Sequence, residues 1–266
     1  MSRASGALAL VILLAWNAEA SAGWIIDQQV KGASDARQQI IVHSNRMKTI
    51  MLDADGKPGA AVVVDLNEDT ITQINYAERA YVTTPINEYI KAVTTMREAA
   101  GKKLAETLKN VPPEHRPSVE ATMRQRVGGE LSAPQCVEPK VELRTTAQKD
   151  TIAGFAAVRH DVLLDGKPDL QVWVAKDLKA WREIDPQKFQ QFAAQMTKLA
   201  ACGSGARGLG GDVAWRVASE GYPVRTVDAS GTTVEVQKAL SRKVSAREFR
   251  PPAGFAKKTF ADMMRP

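Results

Sequence analysis

Between residues 24 and 85 the chain alternates short β-rich runs with connections too brief to hold a crossover. WIIDQQV (24–30), RQQIIVHSN (37–45), RMKTIMLD (46–53), AAVVVDL (60–66), TITQINY (70–76) and RAYVTTP (79–85) follow one another closely. Parallel pairing needs about a dozen linking residues or more, whereas a hairpin closes with two to five. Asp55-Gly56-Lys57-Pro58 and Asn67-Glu68-Asp69 have turn chemistry. The run therefore predicts an antiparallel meander, and everything downstream must pack against that sheet.

After Pro85 the apolar period changes from two to three or four. Ile86, Ile90, Val93, Met96, Ala100, Leu104 and Leu108 share one side, with Lys91, Arg97, Lys102, Lys103 and Glu106 on the other. That is an amphipathic helix, stopped by Asn110-Val111-Pro112-Pro113 because proline supplies no donor and restricts its predecessor. A second helix is expected from about Pro117, with Val119, Met123 and Val127 on one side and Gly128-Gly129 at its end. Residues 85–130 thus read as a helical hairpin inserted into a sheet protein. Strands resume over 136–144, where Val137, Val141 and Leu143 face one way and Glu138, Lys140, Glu142 and Arg144 the other. Runs 151–166 and 169–175 suggest a hairpin around Asp165-Gly166-Lys167-Pro168. A helix over 186–201 turns Phe189, Phe192, Met196 and Leu199 inward, and strands at 221–227 and 232–240 precede the tail FRPPAGF (249–255). No repeat or linker divides the chain, so 23–266 reads as a single domain.

The first residues restrict the address. Arg3, the apolar run Ala7 to Trp16 and the small-x-small site Ala20-Ser21-Ala22 have the order of a secretory signal peptide over 1–22. The run falls short of the ~20 apolar residues that span a bilayer, and no later stretch is long or apolar enough to cross. Periplasmic or secreted localisation follows as the expectation. The net charge of +6 is spread along the chain without a run of like charges, so a solvated surface is the reading; attraction to an anionic envelope surface is the alternative, and nucleic acid is not expected. Cys136 and Cys202 are the only cysteines. In an oxidising compartment two thiols most often pair; the alternative is two separate buried thiols.

No catalytic signature emerges. Gly203, Gly205 and Gly208 spell G-x-G-x-x-G, but a dinucleotide loop is delivered by a strand and left by a helix. Here a helix enters, and Leu209-Gly210-Gly211 leaves without a helical pattern; a helix C-cap followed by a loop is the reading. His43, His115 and His160 lack metal-ligand spacing, Asp53-x-Asp55-Gly56 lacks the later ligands of a calcium loop, and no G-x-S-x-G occurs. The expectation is a non-enzyme with no cofactor and no metal.

The order of segments resembles a family of secreted bacterial domains of unknown function, itself distantly similar to the lipoprotein carriers LolA and LolB. The segments carrying the resemblance are RMKTIMLD, AVVVDLNEDTITQIN and RAYVTTPINEY, then LKNVPPEHRPSVEATMRQRVG, DTIAGFAAVRHDV, VWVAKDL, EGYPVRTV and FRPPAGF. That family often has Cys two residues after the glycine of I-A-G-[FY]; here the place is Ala156. The resemblance implies an α+β fold, a curved antiparallel half-barrel packed on helices with the inserted hairpin as a lid. It implies a soluble periplasmic binding or carrier protein for an apolar ligand: an acyl chain, a lipid or a lipidated protein. Ile90, Val93, Met96, Met123, Phe189, Phe192 and Met196 would line the greasy space, driven by about 0.8 kcal/mol per buried methylene. The alternative is an envelope protein-interaction module with a filled core.

Overall fold

The computed structural model describes residues 22–32, 35–119, 122, 140–201 and 211–263. Its meander is β1 (Ala22–Lys31), β2 (Ala36–His43), β3 (Arg46–Leu52), β4 (Pro58–Asp65), β5 (Thr70–Asn75) and β6 (Ala80–Pro85), close to the strands read from the sequence. Helix α1 (Ile86–Lys109) follows, and a helical turn resumes at 116–119. Then come β7 (Val141–Ile152), β8 (Phe155–Leu164), β9 (Lys167–Ala175), α2 (Pro186–Ala201), α3 (Gly211–Glu220), β10 (Tyr222–Asp228), β11 (Thr233–Lys243), β12 (Ala256–Lys257) and α4 (Phe260–Met263). The strands form one sheet in the order β12-β6-β5-β4-β3-β2-β1-β11-β10-β9-β8-β7. Every pairing is antiparallel except the short β12–β6 contact. The two halves meet where β1 pairs with β11, and the sheet does not close.

Tight turns set the registers. Ser44 and Asn45 (φ 48° and 62°), Ala153 and Gly154 (51° and 84°), and Asp165 and Gly166 (50° and 78°) each put two residues at positive φ. That backbone matches strand twist in a two-residue hairpin. The middle pair corrects the sequence reading: 151–166 is not one strand, because β7 ends at Ile152 and β8 starts at Phe155. Ala-Gly supplies only one residue at ease with positive φ, so the signal is weak.

The last strands curl. β7 carries an irregularity between Thr145 and Lys149, and extra residues of this kind bend a strand. Beyond it, Asp150 Oδ2 accepts from Arg225 Nη1 of β10 at 2.7 Å. β8 and β9 lie between those strands, and a flat sheet would separate them by about 14 Å at ~4.8 Å per step. Trp173 of β9 stands inside the curl. Its cross-strand partners Arg159 and Arg225 place their guanidiniums 5.6 and 5.2 Å from its ring centre. Arg225 also donates to Glu235 (2.5 Å) and Arg159 to Asp161 (2.7 Å), so both cations are neutralised while they cover the indole.

A second correction concerns the glycine-rich stretch. Residues 202–210 lie outside the described residues, but helix α3 starts at Gly211, where no helix was expected. Its Val217 is buried against Val162, Val172 and Val174, which explains a helix whose start on glycine gives little propensity. Because α2 precedes the loop, a strand still does not deliver it. Gly221 ends α3; a Cβ there would lie 2.4 Å from the Ala175 carbonyl oxygen.

Candidate functional site

Register divides the meander into two chemically different faces. One carries three cross-strand rows: Trp24-Val42-Met47-Val64-Ile71-Thr84, Ile26-Ile40-Thr49-Val62-Gln73-Val82 and Gln28-Gln38-Met51-Ala60-Asn75-Ala80. No residue in these rows is charged. Asp27, Arg37, His43, Arg46, Lys48 and Asp65 all fall on the other face, among Ile41, Ile50, Val63 and Ile74. That second face is covered by the C-terminal segment, whose Val244 and Phe249 pack on Ile41, Ile50 and Val63, with Phe255 against them. Lys48 is buried there and donates to the Glu248 carbonyl at 2.9 Å. Loss of hydration holds its ammonium below the usual lysine range, and the Glu248 carboxylate partly offsets this.

Helices cover only one end of the charge-free face. Val64, Ile71 and Ile86 are buried under Tyr89, Ile90, Leu66 and Phe192. Beside them, Met47, Val64, Leu66, Trp181, Ile184, Phe189 and Phe192 line a shallow open hollow whose interior volume is about 10 Å³, room for about one water-sized sphere. Trp181 stacks at a tilt on Phe189 (4.9 Å) and Tyr222 (5.5 Å). Its buried Nε1–H has no protein partner among the described residues. Farther along the same face the sheet is open: Met51 is 47% exposed and Val62 38%. The Gln28 and Gln38 side chains bind each other at 2.6 Å, satisfying amides without introducing charge.

Of the expected lining residues, Ile90, Phe189 and Phe192 meet at this end. Val93, Met96 and Met196 are half-buried and belong neither to that cluster nor to the hollow's wall. Met123, Cys136 and Cys202 lie outside the described residues, as do residues 1–21 and most of the second half of the inserted hairpin. The sheet-side wall, Met47 and Val64, was missed; alternation in 46–53 and 60–66 places both on one face once register is known. Trp181 and Ile184 come from a 3-10 turn and its exit, where no period marks them.

The architecture is thus a large, curved, unclosed and mostly antiparallel sheet with a few helices. No helix among the described residues is long and apolar enough to cross a membrane. No family model matches the chain, and no curated protein matches it. Among solved structures it is similar to an uncharacterized conserved protein from Thermus thermophilus, at 10% identity over 90% of this chain and 91% of that one, with a TM-score of 0.45. PNGF-II is similar at 12% identity over 91% of this chain and 32% of that one, TM-score 0.41. MucB is similar at 11% identity over 89% and 60%, TM-score 0.39, and the Pseudomonas aeruginosa MucA/MucB complex at 12% over 88% and 58%, TM-score 0.36. Likeness at this level concerns general architecture and assigns no activity.

Proposed function

We propose that the mature chain is an exported binding module that takes an uncharged, apolar segment of a partner protein against the open part of its charge-free sheet face. The observation that carries this reading is the separation of charge by face. A sheet face left in water ordinarily alternates polar-out, yet Thr49, Met51, Ala60 and Val62 stay uncharged where no helix covers them. Such a surface favours apolar area at roughly 25 cal/mol per Å² buried and penalises an unpaired charge.

The test is a photo-crosslinking amino acid at Met51 in the exported protein, with Leu240 as control. Leu240 is 48% exposed and pairs with Ile25, so it belongs to the opposite face. A discrete adduct through Met51, lost on Val62→Lys and absent from Leu240, is expected. Equal crosslinking from both positions contradicts the reading.

The hollow favours a second reading, a small apolar ligand, because apolar side chains make up its whole wall. Its interior volume of about 10 Å³ lies far below the ~300–1,000 Å³ of ordinary ligand pockets, which makes a carrier of acyl chains the weaker reading. Native mass spectrometry after incubation with envelope lipid extract tests it: bound lipid supports a carrier, and bare protein removes it.

A further inference from the structure

We infer that the tip of the β2–β3 hairpin is a nucleophilic acyl-transfer site made of Ser44, His43 and Glu183. His43 Nδ1 lies 2.9 Å from Glu183 Oε2, and His43 Nε2 lies 3.1 Å from Ser44 Oγ. An ionised carboxylate only accepts, so Nδ1 donates to it; in the neutral ring Nε2 is then the acceptor and the serine hydroxyl donates. That is the nucleophile, base and orienting-acid chain that activates a serine on unrelated folds. The relay is sheltered while its nucleophile is not: the His43 and Glu183 side chains are 14% and 15% exposed, and Ser44 is exposed.

The surroundings hold the three groups in place. Asn45 N–H donates to the Glu183 carbonyl at 2.8 Å, Asp185 N–H to Asn45 Oδ1 at 2.6 Å, and Asn67 Nδ2 to the Ser44 carbonyl at 2.8 Å. Ser44 sits at φ 48° in this two-residue turn, which fixes its position beside His43. Lys188 Nζ donates to Asn67 Oδ1 at 3.0 Å, and Asn67 in turn holds the Ser44 carbonyl. Leu66 and Ile184 of the apolar hollow adjoin the site: Leu66 N–H donates to the Asn45 carbonyl at 2.9 Å, and Ile184 follows Glu183. The relay's chemistry sets the substrate class, a carboxylic ester.

In the first step Ser44 Oγ bonds to the ester carbonyl carbon while His43 Nε2 takes the hydroxyl proton. The carbon–oxygen bond to the alcohol breaks, and the alcohol leaves with that proton. Water then attacks the acyl-serine, His43 takes a proton from it, and the acid departs as Oγ regains a proton. No redox partner is required, and Glu183 acts as a positioning residue. This inference goes beyond the binding reading and does not depend on it.

The test uses the mature chain with 4-nitrophenyl butyrate as substrate and an alkyl fluorophosphonate as label, mapped by mass spectrometry. One adduct on Ser44 is expected, with hydrolysis reduced roughly 10²-fold or more in Ser44→Gly and His43→Gln. Glycine suits φ 48°, so Ser44→Gly keeps the hairpin, as circular dichroism would verify. Glu183→Gln should displace the pH–rate profile and Glu183→Asp should restore part of it. No adduct on the wild-type chain, an adduct elsewhere, or hydrolysis unchanged in Ser44→Gly overturns the inference; the wild-type labelling map decides without any variant.

Discussion

Replacing Trp173 by alanine should unfasten the curled end of the sheet. Trp173 is 7% exposed, and truncating a buried tryptophan to alanine costs about 3–5 kcal/mol. The guanidiniums of Arg159 and Arg225 lose their ring face as well, about 0.5–1 kcal/mol each. Both arginines keep their carboxylates, so no buried charge is stranded. The sum, about 4–7 kcal/mol, is a large part of the ~5–15 kcal/mol that holds a typical domain. Urea unfolding followed by circular dichroism would read this as a midpoint lowered by about 2 M, for a slope of ~2–3 kcal/mol per M. Trp173→Phe, which keeps a ring between the cations, should lose less than half as much. A loss under ~2 kcal/mol in Trp173→Ala would refute the idea that the strands wrap around this side chain.

Four other substitutions have defined outcomes. Lys48→Met should be neutral or stabilising by about 1 kcal/mol despite the lost bond to the Glu248 carbonyl. Burial depresses Lys48, so the unfolded chain holds the proton more tightly; wild-type stability should rise, and its gap to Lys48→Met narrow, as the pH rises toward the ordinary lysine range in urea titrations. Gly221→Ala should cost about 1–3 kcal/mol, because the oxygen it meets belongs to β9 backbone paired with β10. Met51→Lys and Val62→Lys should leave the unfolding free energy within about 0.5 kcal/mol of wild type, since both side chains already face water.

The meander was legible because its information is local. Period-two alternation and short turns leave antiparallel pairing as the only geometry, and β1 to β6 follow the expected runs within a few residues. Helix α1 was equally plain, since Ile86 and Leu104 are the buried points of its apolar stripe. What escaped depended on long-range contact. The Ala153-Gly154 turn is stabilised by the β7–β8 ladder rather than by strong turn residues. Helix α3 owes its place to Val217 meeting strands more than forty residues earlier in the chain. The Ser44–His43–Glu183 relay joins a hairpin tip to a 3-10 turn 140 residues away, with no spacing rule to reveal it. The charge-free face lay in between: each strand's alternation was readable, but only the registers show that all the neutral sides coincide.

The central claim is that this neutral face is where a partner binds. Its most direct measure is calorimetric titration of the partner crosslinked through Met51 against wild type, Val62→Lys and Leu240→Lys. Affinity should fall at least about tenfold, equivalent to ~1.4 kcal/mol, for Val62→Lys and stay unchanged for Leu240→Lys. Equal affinity for wild type and Val62→Lys, or a loss confined to Leu240→Lys, would contradict the account.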